Sequence, residues 1–333
     1  MLGEVSDGYV DVNSNVWVKK FSFDLFKKID SLVLDIDGVI LDVTSSFRVA
    51  ITKTTQFYFK NILKWPGEAI LISPEETQLF KLAGGFNNDW ELTYAVIAFY
   101  LGKSVSLSSQ DLNVLWKKGR SLKGFTKEIK RLGGGIASAE DIILSDSEYK
   151  GRIKALWNRN LIKQIFQEFY AGMDWCEKLY GFSPEFIKEK GLLNKEKVII
   201  SKDLVEKFYP KVSVITGRIK EEAEVALEKA NLSNVISFEK VLSDDGGIRK
   251  PNPKMLVSLS DKMNTGVGVY VGDTPDDLEM VNNFKKLGRS DKFLSCIVLR
   301  EAEDAQRFIE DEVDVLAISG DDVLVEIDKF KEG

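Results

Sequence analysis

Asp35 and Asp37 stand two residues apart at the end of an apolar run, SLVLDIDG. Strand side chains alternate, so both carboxylates leave the same face if the strand continues through them. An uncompensated buried carboxylate is strongly unfavourable, and something must offset two of them. The chain contains no histidine. A Ser-His-Asp triad and a histidine-ligated zinc or iron site are therefore excluded. Acid–base chemistry near neutral pH must come from Asp, Glu, Lys, Tyr or Cys. A metal site must use mainly oxygen ligands, which points to Mg²⁺ or Ca²⁺.

The elements that position these residues follow from the apolar pattern. After residue 195, β-branched runs recur at 212–216, 235–238, 267–271, 294–299 and 313–318. Helical segments separate most of them, 221–230 most clearly. This alternation predicts an α/β fold with a Rossmann-like parallel sheet, whose first strand holds Asp35. Upstream, YVDVNSNVWV reads as a hairpin, followed by a helix at 23–29. Between 47 and 195 the pattern is helical, with segments at 89–101, 112–118, 123–132, 160–170, 174–180 and 184–190. Ser73, Pro74 and Glu76 form a capping box, and Gly84 and Gly85 stop the helix it opens. Gly133, Gly134 and Gly135 read as a loop. The sheet domain is thus discontinuous, 1–46 with 196–333, and an all-helical domain spans 47–195.

Ligands of open α/β sheets bind beyond the carboxyl ends of the strands. There the sequence places Asp35-Ile36-Asp37-Gly38, then Thr216-Gly217-Arg218, and then Gly272-Asp273-Thr274-Pro275-Asp276-Asp277. Arg249-Lys250-Pro251 opens a helix between the last two. This set, in this order, resembles the four motifs of the haloacid dehalogenase superfamily of phosphohydrolases. Asp35, Asp37 and Gly38 match the first, Thr216 the second, Lys250 the third, and Gly272, Asp273 and Asp277 the fourth. The helical insertion lies where phosphoglycolate phosphatase-like and β-phosphoglucomutase relatives carry a cap, although this one is longer. Asp276 is left outside the set, and Arg218 and Arg249 read as peripheral.

The resemblance implies Mg²⁺ held by the Asp35 and Asp273 carboxylates and the Asp37 main-chain carbonyl, with Asp277 behind them. It implies Asp35 as nucleophile and Asp37 as general acid and base. Lys250, Thr216 and the Gly217 N–H would bind the phosphoryl oxygens. Asp277 also reads as a helix cap. The second aspartate of the first motif favours a phosphatase or phosphomutase, with the phosphatase as the leading reading. A phosphomutase, or an idle phosphate- or metal-binding regulator, remains an alternative.

A cap implies a small phosphorylated metabolite as substrate. The stretch AGGFNNDWEL offers Asn87, Asn88 and Asp89 as substrate-binding residues, with a helix C-cap followed by an N-cap as the other reading. Arg48, just past the first motif, is a candidate phosphate ligand. The net charge of −6, with both signs mixed along the chain, argues against a nucleic-acid binder. No apolar run reaches 18 residues, so no membrane span is expected. The first residues lack the pattern of a secretory signal, and two distant cysteines, Cys176 and Cys296, read as reduced. Together these predict a cytoplasmic protein.

Overall fold

The computed structural model describes residues 8–86, 88–145, 147–300 and 304–331. The chain divides into two units, 1–42 with 197–333, and 43–196.

The first unit is built on an eight-stranded sheet. In chain order the strands are β1 (Tyr9–Asp11), β2 (Val16–Lys19), β3 (Ser31–Leu34), β4 (Leu41–Asp42), β5 (Lys197–Val198), β6 (Val212–Ile215), β7 (Val241–Leu242), β8 (Val267–Gly272), β9 (Lys292–Val298) and β10 (Val315–Ala317). The sheet order is β1-β2-β10-β9-β8-β3-β6-β7, and β4 and β5 form a separate antiparallel ribbon. From β10 to β7 every pairing is parallel, as the alternation predicts. The N-terminal hairpin β1-β2 adds antiparallel to β10 and extends that edge. Central β3 is flanked by β8 and β6, with Leu34 opposite Val271 on one side and Val214 on the other. The carboxyl ends of three strands thereby converge.

Apolar packing sets this register. Val33, Ile215, Tyr270 and Phe293 from the sheet pack with Met255, Leu256 and Leu259 of helix Lys254–Met263 and Met280, Val281 and Phe284 of helix Pro275–Lys285. A second cluster joins Trp17, Leu278, Ile297, Phe308 and Leu316. Residues 235–238 are not a strand. The Val235 and Ile236 N–H groups both donate to Leu232 O in a turn after helix Lys220–Lys229, so that backbone is unavailable for pairing. The short β7 pairs with β6 in their place. The helix expected at 23–29 is shorter, Phe23–Phe26.

The second unit is helical, with no strand among its described residues. Its centre is helix Asp89–Ser106, which buries Leu92 and every residue from Ala95 to Leu101. A helix apolar on all sides must be surrounded, and helices Phe47–Phe57, Gly135–Ile143, Ser147–Leu156 and Arg159–Tyr180 pack on it. The segments expected at 160–170 and 174–180 form one element, broken at Gly172 (φ 63°), where a Cβ would lie 2.0 Å from Gly191 N. Gly135 heads a helix instead of lying in a loop, and Gly134 is its N-cap. The capping box is present: Ser73 N–H donates to Glu76 Oε2 (2.9 Å) and Glu76 N–H to Ser73 Oγ (3.3 Å). Its turn precedes the helix Gln78–Lys81.

Residues 184–190 are not helical. The buried Glu168 carboxylate accepts the N–H groups of Glu185 (2.9 Å), Phe186 (2.7 Å) and Ile187 (2.9 Å). Those amides wrap a carboxylate and do not enter a helical ladder, because a buried charge must be met by donors.

Candidate active site

Strand pairing of β3 ends at Leu34, so Asp35 and Asp37 do not share a strand face as the alternation suggested. Asp35 N–H still donates to Val271 O (2.9 Å), after which the chain turns, with the N–H groups of Ile40 and Leu41 both donating to Ile36 O. Gly38 has φ 79°, and a Cβ there would lie 2.3 Å from Asp273 Oδ2 and 2.6 Å from Arg300 Nη2. The glycine of the first motif is thus required both by its backbone and by what approaches it. Gly272 is required for a related reason, since a Cβ would lie 2.4 Å from Asp277 Cγ.

Four carboxylates and three cations meet at the strand ends. Lys250 Nζ lies 2.8 Å from Asp35 Oδ2 and 2.8 Å from Asp277 Oδ1. Arg218 Nε lies 2.8 Å from Asp37 Oδ1. Arg300 Nε lies 2.6 Å from Asp273 Oδ2. Lys250, Arg218, Asp35, Asp273 and Asp277 are all buried. Asp277 is the hub: its Oδ1 accepts from Lys250 and Tyr270 OH (2.7 Å), and its Oδ2 from Asp273 N (3.1 Å), Thr274 N (3.0 Å) and Thr274 Oγ1 (2.7 Å). It completes a capping box with Thr274 at the start of helix Pro275–Lys285, and in the same contacts fixes the lysine and the backbone of Asp273.

Burial pushes the Asp35 carboxyl up to about 8; Lys250 opposes this, and Asp277, Asp37 and Asp273 add to it. Burial likewise raises Asp273 above the ordinary carboxyl value, against the pull of Arg300. Burial disfavours a charged Lys250, yet Asp277 and Asp35 hold it protonated well above the ordinary lysine value. Asp277 is depressed despite its burial, because Lys250, Thr274 and Tyr270 favour its ionised form.

Oxygens of Asp35, Asp273 and Asp277 all lie within 4.8 Å of one another. The carboxylates outnumber the cations of the cluster, four to three, and the donors within the trio are all oxygens. That set suits a hard divalent cation such as Mg²⁺. With its oxygens already taken by five donors, Asp277 is suited to orienting neighbours, while Asp35 and Asp273 are the better ligands.

Thr216 is buried beside β3, and its Oγ1 accepts Arg218 N–H (3.2 Å), with Gly217 in the turn between them. Asp35, Asp37, Thr216, Lys250, Asp273 and Asp277 all belong to the first unit. Arg48, Asn88 and Asp89 belong to the second. There Arg48 donates to Gln78 Oε1, Asn88 is the buried N-cap of helix Asp89–Ser106, and Asp89 pairs with Lys81 at 2.8 Å. Asn87 lies outside the described residues. Gly84 and Gly85 pack backbone to backbone on Gly134 and Gly135.

Arg218, read as peripheral from sequence, is 2% exposed and holds Asp37. Arg249, read the same way, pairs instead with Asp244 at 2.9 Å. Arg300 and Tyr270 were missed. Arg300 directly follows the apolar run 294–299, so its place at a strand end was the signal for it. Tyr270 carried no signal, because its ring belongs to the apolar pattern of β8.

No protein-family profile matches the chain. Imidazoleglycerol-phosphate dehydratase of Phytophthora nicotianae is 33% identical over 69 residues, 21% of this chain. The match spans 13% of that curated relative. Phosphatase Tt82 of Thermococcus thioreducens is 24% identical, with 83% of this chain and 98% of that one covered and a TM-score of 0.54. A structural-genomics target is 16% identical, with 91% and 100% covered and a TM-score of 0.55. At these identities the likeness establishes the fold. No helix among the described residues is long and apolar enough to cross a membrane.

Proposed function

We propose that this chain, which has the haloacid dehalogenase-like fold, is a Mg²⁺-dependent phosphatase of small phosphorylated metabolites. The observation that carries the reading is Asp35 at the carboxyl end of the central strand, with Lys250 Nζ at 2.8 Å and the Asp273 carboxylate beside it. A carboxylate nucleophile, a fixed cation and a second acidic ligand are what transfer of a phosphoryl group to an aspartate requires.

An Asp35 oxygen attacks phosphorus, and the bond from phosphorus to the substrate oxygen breaks. Asp37 gives its proton to that leaving oxygen. Water then attacks the aspartyl-phosphate, Asp37 takes a proton from that water, and the bond from phosphorus to Asp35 breaks to release inorganic phosphate. Lys250, Thr216 and the Gly217 N–H serve the phosphoryl oxygens throughout. Held by Asp35, Asp273 and the Asp37 carbonyl, Mg²⁺ would offset the repulsion between an anionic nucleophile and an anionic substrate.

The test is phosphate release from p-nitrophenyl phosphate and from a panel of metabolites, with EDTA and with Mg²⁺. The panel includes imidazoleglycerol phosphate, the ester in the curated relative's name. Activity should require Mg²⁺, and Asp35→Asn should abolish it along with any fluoroberyllate trapping. Full activity in EDTA, or in Asp35→Asn, would falsify the proposal.

A further inference from the structure

The three cations of the site are not equally committed. Lys250 has a side chain 4% exposed and bridges two buried carboxylates, so it cannot leave without orphaning both. Arg218 is 1% exposed, and its partner Asp37 lies outside the trio of Asp35, Asp273 and Asp277. Arg300 is 24% exposed, and its partner Asp273 lies inside that trio. Two of its nitrogens, Nε and Nη2, fall on the same Asp273 oxygen. It reaches that position across the backbone of Gly38, where there is no Cβ to block it.

We infer that Arg300 is the exchangeable counter-ion of this cluster. A carboxylate as buried as Asp273 needs a positive charge beside it whether or not a metal is present. Arg300 supplies that charge in the metal-free protein. When a divalent cation binds, it takes over Asp273 and the arginine turns towards solvent. Metal affinity is then set by competition with a side chain of the protein itself. The inference rests on the metal-dependent reading of the site.

Mg²⁺ titration of the EDTA-stripped full chain, followed by calorimetry, tests it in wild type, Arg300→Met and Arg300→Lys. A group that changes the affinity for a ligand by coupling to its site typically does so by about 5- to 150-fold. Arg300→Met should therefore bind Mg²⁺ tighter by about that factor, with Arg300→Lys close to wild type. In EDTA, Arg300→Met should melt below wild type, and saturating Mg²⁺ should close the gap. Arg300→Gln, also uncharged, should shift affinity the same way and serves if the methionine variant does not fold. Unchanged or weaker Mg²⁺ binding in the uncharged variants overturns the inference while the metal site stands. Absence of Mg²⁺ binding in wild type, or undiminished binding in Asp35→Asn, overturns the metal reading and the inference together.

Discussion

Arg218 directs Nε (2.8 Å) and Nη2 (2.7 Å) at one oxygen of Asp37, Oδ1, from a side chain with 1% exposure. The second aspartate of the first motif is thus held from the strand next to its own. Removing the guanidinium leaves Asp37 unpaired and opens a space. Arg218→Met should cost roughly 2–4 kcal/mol, below the full penalty for a buried pair because Asp37 is partly exposed. Urea unfolding measures it. Activity should fall further with poor leaving groups than with p-nitrophenyl phosphate, and Arg218→Lys should restore part of the difference. Equal losses for both kinds of ester would make Arg218 a purely structural residue.

Tyr270 donates its hydroxyl to Asp277 at 2.7 Å in a buried site. Tyr270→Phe keeps the ring in the core and removes that bond. A hydrogen bond to a charged group is worth about 1.5–3 kcal/mol, and thermal unfolding should show a loss of that size. A variant as stable as wild type would mean that Lys250, Thr274 and the Asp273 N–H satisfy Asp277 without it.

Glu168 organises residues 185–187 through three backbone N–H bonds. Glu168→Ala strands those donors and should destabilise the helical unit by about 1–3 kcal/mol for each donor left buried and unsatisfied. Hydrogen exchange at the amides of Glu185, Phe186 and Ile187 should accelerate before that of helix Asp89–Ser106. Unaltered exchange at these amides would show that the loop holds its shape without the carboxylate.

Asp291 carries the pH prediction. Burial alone would raise its carboxyl, but the Ser260 hydroxyl and Arg289, whose Nε is 2.8 Å away, outweigh burial and hold it below the ordinary value. A depressed folded-state value means that the unfolded chain takes up the proton first. The stabilisation is therefore complete above the unfolded carboxyl value, about 3.9, and is lost as pH falls through the folded one. Wild type should melt above Asp291→Asn at pH 7, and the gap should close as pH falls through the depressed folded-state value. A gap independent of pH would assign the effect to packing.

By itself, the sequence determined the parallel α/β core, the helical insertion and the chemical types at the strand ends. These are short-range properties: an apolar run that stops, a glycine beside an aspartate, a lysine before a helix. What lay beyond its reach was pairing across distance. Lys250 meets an aspartate 215 residues away and Arg218 one 181 residues away, and residue type does not choose between partners so remote. Local periodicity failed at 184–190 and 235–238 for a related reason. There the backbone donors go to Glu168 and to the Leu232 carbonyl, and no helical or strand pattern records such a demand. The tertiary structure also decided that Arg300 stands on Asp273. Only the convergence of β3, β8 and β9 brings that cation to a carboxylate it could neutralise.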